Sequence, residues 1–250
     1  MESGTELGFL IFFPFIAGGL AYLAGHVSGK KKENAPHTGG ILRDAIVIVS
    51  VVLEFIVMTS VSYFAVSSQS SHVLEIPDIC GLGLGFVLDG FRSIYGCVAA
   101  FMWMMTAILS REYFAHLHHR SRFYLFLLWT LGATLGVFLS ADLYTTFIFF
   151  EIMSFTSYVW VAQEENGPAL RAADTYLAVA VTGGLVMLMG IFLLYHQLGT
   201  LTIGELPAAA ANCGERNLLY AAGACMLFGF GAKAGAFPLH IWLPKAHPVA

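Results

Sequence analysis

Leu227-Phe-Gly-Phe-Gly-Ala-Lys-Ala-Gly-Ala-Phe-Pro-Leu-His-Ile-Trp-Leu-Pro-Lys-Ala-His247 sets one lysine, Lys233, inside an apolar, glycine-rich run. A charge at bilayer depth costs roughly 2.5–3.5 kcal/mol on insertion scales, so such charges are rare and usually functional. Pro238 and Pro244 follow the lysine, which predicts a broken helix here instead of a straight rod. Interrupted helices at membrane depth commonly mark ion sites in transporters. A lysine snorkelling to the interface is the plainer reading. The apolar, aromatic segment that follows Lys233, in place of a water-seeking loop, argues against it.

The surrounding chain fits a membrane setting. Its 250 residues are 58% hydrophobic and 11% charged, against about 25% charged in an ordinary soluble domain, and mean hydropathy is +0.75. A polytopic all-α transmembrane bundle is expected, with room for about seven spans. The net charge of −4 is small and dispersed, which excludes nucleic acid as a partner and leaves the lipid bilayer. Cys80, Cys97, Cys213 and Cys225 show no C-x-x-C spacing, so no metal or iron–sulfur site is expected. No nucleotide, flavin or haem motif is evident, and no cofactor is expected in this chain. The acidic start Met1–Glu6 lacks the basic region of a signal peptide, so the first span is expected to be retained.

Seven apolar segments are the candidate spans: Leu7–Val27, Ile41–Val66, Phe91–Leu109, Phe123–Leu139, Leu143–Val161, Tyr176–Tyr195 and Leu218–Ala236. Loop one carries Lys30, Lys31 and Lys32, and loop three carries Arg111, Arg120 and Arg122. Loop two, Ser67–Gly90, has no Lys or Arg but holds Glu75, Asp78 and Asp89. The positive-inside bias therefore predicts loops one and three in the cytoplasm, the N-terminus outside, and a cell (inner) membrane location. Gly132 with Gly136, and Gly231 with Gly235, have the four-residue spacing that lets helices approach closely.

A second intramembrane charge, Glu151, shares a helical face with Tyr144, Ser154 and Tyr158. This narrow polar stripe would hold hydroxyls and water for proton hopping; a neutral acid in one helix–helix hydrogen bond is the alternative. Desolvation disfavours a charged lysine and a nearby carboxylate favours it, so Glu151 and Lys233 together would load and discharge a proton relay. His240 and His247 are secondary relay candidates, because imidazole titrates near neutral pH; an interfacial histidine with one hydrogen bond is the alternative. Glu54, centred in the second span with no evident basic partner, is a further candidate. It would either face a neighbouring subunit or be held neutral. His116-Leu-His-His119 reads as part of a basic loop, and Gly81-Leu-Gly-Leu-Gly85 is no phosphate cradle.

Leu143-Tyr-Thr-Thr-Phe-Ile-Phe-Phe-Glu-Ile-Met-Ser-Phe-Thr-Ser-Tyr158 and Gly229-Phe-Gly-Ala-Lys-Ala-Gly-Ala-Phe-Pro-Leu-His-Ile-Trp-Leu-Pro-Lys-Ala-His-Pro248 resemble the antiporter-like membrane subunits of respiratory complex I and its relatives. Leu84–Gly90 before the third span agrees in order. The second motif looks most like formate hydrogenlyase and energy-converting hydrogenase subunits, with quinone-reducing enzymes and multisubunit cation/proton antiporters close behind. The resemblance implies Glu151 and Lys233 as the proton-relay pair. It also implies other membrane-arm subunits and a peripheral redox arm as partners, with all redox chemistry outside this chain.

Such subunits have about fourteen spans in two inverted five-helix repeats. The chain is accordingly expected to comprise a three-span segment, 1–121, and an incomplete first repeat, 122–250, with a discontinuous seventh helix. It is read as a truncated or split gene product, whose missing helices a second polypeptide would carry. A sodium/proton antiporter subunit and a non-transporting assembly fragment are the competing functions.

Overall fold

The computed structural model of the chain describes residues 2–29, 38–79, 81–114 and 119–248. Lys30–Lys32, Cys80 and His116–His118 lie outside them. In chain order the elements are α1 (Glu2–Gly29), α2 (Thr38–Ser68), β1 (His72–Ile76), β2 (Leu84–Leu88), α3 (Gly90–Tyr113), α4 (Arg120–Leu139), α5 (Leu143–Val161) and α6 (Gly167–Leu198). Then come α7 (Leu206–Ala211), α8 (Arg216–Ala234), a 3-10 turn (Leu239–Trp242) and α9 (Leu243–Ala246). The fold is an all-α polytopic membrane bundle, and the chain is a multi-pass membrane protein.

All seven expected apolar segments form helices, and among the described residues six helical stretches are long and apolar enough to cross a membrane. The fifth segment is the exception. At 19 residues α5 would reach about 28 Å, but Glu151 and seven hydroxyl-bearing side chains lower its apolarity. Two loops also differ from expectation. Ala162–Ala172, read as a loop, contains the first turns of α6, because Asn166 caps the Ala169 amide at 2.8 Å and Pro168 sits in the first turn. Ser67–Gly90 holds a two-stranded hairpin, whose turn passes through Gly81 and Gly83 at φ 81° and 77°. Strand β2 alternates buried Leu84, Phe86 and Leu88 with half-buried residues.

The seventh span is discontinuous, as expected. Helix α8 ends at Ala234 with Gly235 in the left-handed region, φ 68°. The chain then turns through Pro238 into the 3-10 turn and α9.

Packing divides the chain into two compact units, residues 1–75 with 86–139, and residues 76–85 with 140–250. A packing boundary is a different thing from a repeat boundary, so the division at 121/122 remains an expectation. In the first unit α1 packs on α2 and α4, and α3 on α2 and α4. Trp129 Nε1 donates to the Phe15 carbonyl at 3.0 Å, and Trp103 Nε1 to that of Leu127 at 2.9 Å. A Cβ at Gly132 would stand 2.8 Å from the Ile11 carbonyl oxygen, so this glycine permits close contact between α1 and α4.

In the second unit α6 packs on α5 and α8. The close seam between α6 and α8 runs along Gly183 and Gly190 against Ala222, Gly229 and Ala232. A Cβ at Gly183 would lie 2.6 Å from that of Ala232, and one at Gly190 would lie 2.7 Å from the Ala222 carbonyl oxygen. The expected pair Gly231 and Gly235 takes no part in this seam: Gly231 abuts only Ala236, and Gly235 ends the helix. The four-residue pattern does not reveal the true seam because its glycines are seven residues apart on α6, two turns of one face. Gly183→Val should therefore lower the stability of the second unit by about 1–3 kcal/mol, the usual cost of overpacking. Thermal unfolding in detergent reads it, and a matching change at the open Gly223 should have a much smaller effect.

Candidate functional site

Three helices of the second unit build the site. Helix α5 is anchored at its start, where the Asp142 carboxylate accepts the Thr145 amide at 2.7 Å and the Gly85 amide at 3.2 Å. The Leu143 amide donates to the Leu201 carbonyl, and that of Ile203 to Ala141, both at 3.0 Å. These bonds fix the rotation of α5, and with it the face that carries Glu151, Ser154 and Ser157.

Lys233 sits in the last turn of α8. Its ammonium donates to Ser157 Oγ at 3.1 Å, to Ser154 Oγ at 3.3 Å and, in a short contact, to the Tyr176 hydroxyl. It also lies 5.0 Å from the centroid of the Tyr176 ring. An ammonium has three donors and no acceptor, so all three find oxygen here. The network continues into the backbone: Ser154 donates to the Phe150 carbonyl at 2.9 Å, Ser157 to Met153 at 2.6 Å, and Tyr176 to Ser154 at 3.2 Å. Trp242, beyond the break, donates to the Ala232 carbonyl at 2.8 Å and stacks edge-on to Tyr176 at 5.0 Å. The broken end of the helix thus folds back over the lysine's tyrosine.

Glu151 stands one helical turn before Ser154, on the same side of α5. Its carboxylate faces Gly184 of α6: a Cβ there would lie 2.8 Å from Cδ and 3.1 Å from Oε2. Glu151 Oε1 is buried without a hydrogen-bond partner. No Glu151–Lys233 ion pair within 4.0 Å occurs among the described residues. Lys233 of α8 therefore meets α5 at Ser154 and Ser157, on the turns that follow Glu151.

The other sequence candidates lie apart from this network. His240 is in the 3-10 turn, its ring 5.5 Å from Phe237 and its Nδ1 buried without a partner. His247 caps α9 and is exposed. Neither is a hydrogen-bond partner of Lys233. Glu54 belongs to the first unit, 1% exposed on α2, and neither carboxylate oxygen has a partner. It is buried within its own unit, as the second of its two alternatives, an acid held neutral, would require. Tyr158 packs beside the Val161–Tyr176 cluster instead of extending the polar stripe.

Ser157, Tyr176 and Gly184 escaped the sequence reading. Ser157 lies six residues from Glu151, off its strict helical face. Tyr176 stood at the edge of a predicted span, where an aromatic reads as an interfacial anchor. Gly184 follows Gly183 directly, and only packing separates their duties: one faces α8 and the other the Glu151 carboxylate.

Known proteins resemble the chain in sequence and in fold. Residues 140–250 match the family described as NADH:quinone oxidoreductase/Mrp antiporter, TM. The chain is 27% identical over 165 residues to a Na(+)/H(+) antiporter subunit of Bacillus subtilis, a match covering 66% of this chain and 34% of that protein. Among solved structures it is similar to a chain of the membrane-bound sulfane sulfur reductase, an archaeal respiratory membrane complex, with TM-score 0.81, 21% identity and coverage of 98% of this chain and 48% of the other. It is similar also to a chain of respiratory complex I from Thermus thermophilus, with TM-score 0.76, 21% identity and coverage of 96% and 46%. The chain thus spans about a third of the curated relative and just under half of each structural one. Residues 140–250 thus belong to the antiporter-like superfamily of complex I and Mrp-type membrane subunits, and the chain as a whole has a partial antiporter-like fold.

Proposed function

We propose that the chain moves protons through Glu151 and Lys233 as part of an ion-translocating membrane subunit. The observation that carries this reading is the lodging of Lys233 in the Ser154, Ser157 and Tyr176 hydroxyls, one helical turn from a carboxylate with an unpartnered buried oxygen. The ammonium has a complete set of acceptors, while the acid retains unused acceptor capacity. Ser154 is within reach of the amine and adjacent to the acid, so its hydroxyl is the natural relay between them. A change of charge on Glu151 alters the field at the ammonium and biases its proton to leave or stay. His240 and His247 would extend the route beyond the helix break, and Glu54 would store a proton in the first unit.

Other membrane subunits, with a second polypeptide carrying further helices, complete the pathway in this reading. A peripheral redox arm would drive it, either NADH–quinone oxidoreductase-like or hydrogenase and formate hydrogenlyase-like. The basic loops would face the cytoplasm and the N-terminus the outside of the cell (inner) membrane. The name of the Bacillus subtilis relative supports a second reading about as well: a subunit of a multisubunit sodium/proton antiporter, which needs no redox partner. Ion movement in membrane vesicles separates them. Acidification that requires an electron donor favours the first, and sodium-driven proton exchange without a donor favours the second. No transport of either kind would leave an assembly role.

In the intact complex, Glu151→Gln should reduce coupled proton uptake at least about tenfold, with subunit assembly unchanged on native gels. Normal uptake would remove Glu151 from the pathway. Lys233→Arg should be about as inactive as Lys233→Ala, because a guanidinium keeps its charge and does not release a proton. Fluorescence quenching in vesicles reads both. Tyr176→Phe deletes one of the three acceptors and should slow uptake several-fold while leaving some transport.

A further inference from the structure

The first unit holds a basic recess that the proton relay does not use. It opens where α1 ends and where α2 and α4 begin, with a cavity of about 520 Å³. Arg43, Arg120, Arg122, His26, His119 and Tyr22 line it, and among the described residues no carboxylate does so. Arg43 is 7% exposed and donates to Asp44 Oδ1 at 2.6 and 2.9 Å, while Arg120 reaches Asp44 Oδ2 at 3.3 Å. Both guanidiniums lie over the buried Tyr124 ring, 5.3 and 5.9 Å from its centroid. Arg43 also donates to Ser121 Oγ at 3.3 Å, and Arg120 to the Arg111 carbonyl at 3.1 Å.

Among the described residues Asp44 is the one carboxylate that Arg43 and Arg120 share, and Arg122 also lines the recess. Arg120 Nε is buried with no acceptor. The N-terminus of the 20-residue α4 directs its positive dipole end to the same place. The recess is therefore a preorganised anion site with its cations already held in position. What flanks it identifies the anion. Leu20 and Leu23 of α1 and Ile41 and Leu42 of α2 are each more than half exposed within a turn or so of the lining residues. They provide an apolar track below a cationic head, which a soluble anion would not need.

We propose that this recess binds the phosphate of an anionic membrane phospholipid, whose acyl chains lie along the exposed faces of α1 and α2. Basic pockets between membrane helices suit such headgroups, and each arginine near an anionic surface contributes about 1 kcal/mol, or roughly fivefold in affinity. The site depends neither on Glu151 nor on Lys233, so transport data do not bear on it.

Lipid retention by the full 250-residue chain tests the proposal. The chain is purified in non-ionic detergent, and native mass spectrometry compares bound phosphatidylglycerol with bound phosphatidylcholine. Phosphatidylglycerol should be retained at least about fivefold better. Arg122→Gln should lower that retention about fivefold, Arg122→Lys should restore most of it, and Arg111→Gln, an exposed arginine outside the recess at the same end of the unit, should leave it unchanged. Equal retention of the two lipids, or equal losses in the Arg111 and Arg122 variants, overturns the proposal. So does saturable binding of inorganic phosphate without lipid preference, which would assign the recess to a soluble anion. If Arg122→Gln does not fold, the selectivity of the unmodified chain decides.

Discussion

The second unit depends on how closely α6 and α8 approach one another. In lipid the hydrocarbon chains are as apolar as leucine, so helices associate through packing and hydrogen bonding instead of hydrophobic exclusion. Gly183 and Gly190 of α6, facing Ala222, Gly229 and Ala232 of α8, let the two backbones approach closely. That approach brings the last turn of α8 near α5, within reach of its hydroxyls. A seam even one methyl wider would carry Lys233 away from Ser154 and Ser157, and the ammonium would lose the oxygens that make its burial tolerable. Gly235 and the turn that follows complete the arrangement by bringing Trp242 back onto Tyr176.

Charged side chains in this protein fall into two kinds, distinguished by how fully they are satisfied. Arg43 and Asp44 are buried, paired and hydrogen-bonded on both sides. Breaking such a pair strands the remaining charge and is strongly destabilising, so the pair suits a structural role at the end of the bundle. Glu54 is buried with neither oxygen hydrogen-bonded, and half-buried Glu151 has one buried oxygen, Oε1, without a hydrogen-bond partner. Unsatisfied buried oxygens are rare in native proteins and call for a function or an ordered water. For Glu151 the neighbouring Lys233 network indicates the function. Glu54 lies in the first unit on a buried face shared with Val47, Ser50, Val51, Met58 and Val61, and its two open oxygens are the same kind of signal without a partner network among the described residues.

Much of the fold was legible in the residues. Seven apolar runs became seven helices because length and apolarity at bilayer scale are properties of local composition. The helix break after Lys233 followed from glycine and proline, whose backbone limits act within a few residues. The chemistry of Glu151 and Lys233 was legible because ionisable groups in apolar runs stand out against their surroundings. The hairpin in loop two was less so, since short strands carry a weak periodic signal that glycines obscure. The early start of α6 was hidden by Glu164, Glu165 and Arg171, which read as loop although Asn166 and Pro168 cap a helix among them.

By itself, the sequence determined that this protein crosses a membrane many times, that its last long helix is interrupted, and that an acid and an amine lie at depth. Each of these follows from residues near one another along the chain. Only the tertiary structure decided which hydroxyls receive the ammonium, which glycine makes space for the carboxylate, and which arginines share Asp44. The hydroxyls that receive the ammonium lie 57 to 79 positions from Lys233, and Arg120 lies 76 from Asp44; helix rotation and spacing, set by the whole packed unit, determine whether such residues meet.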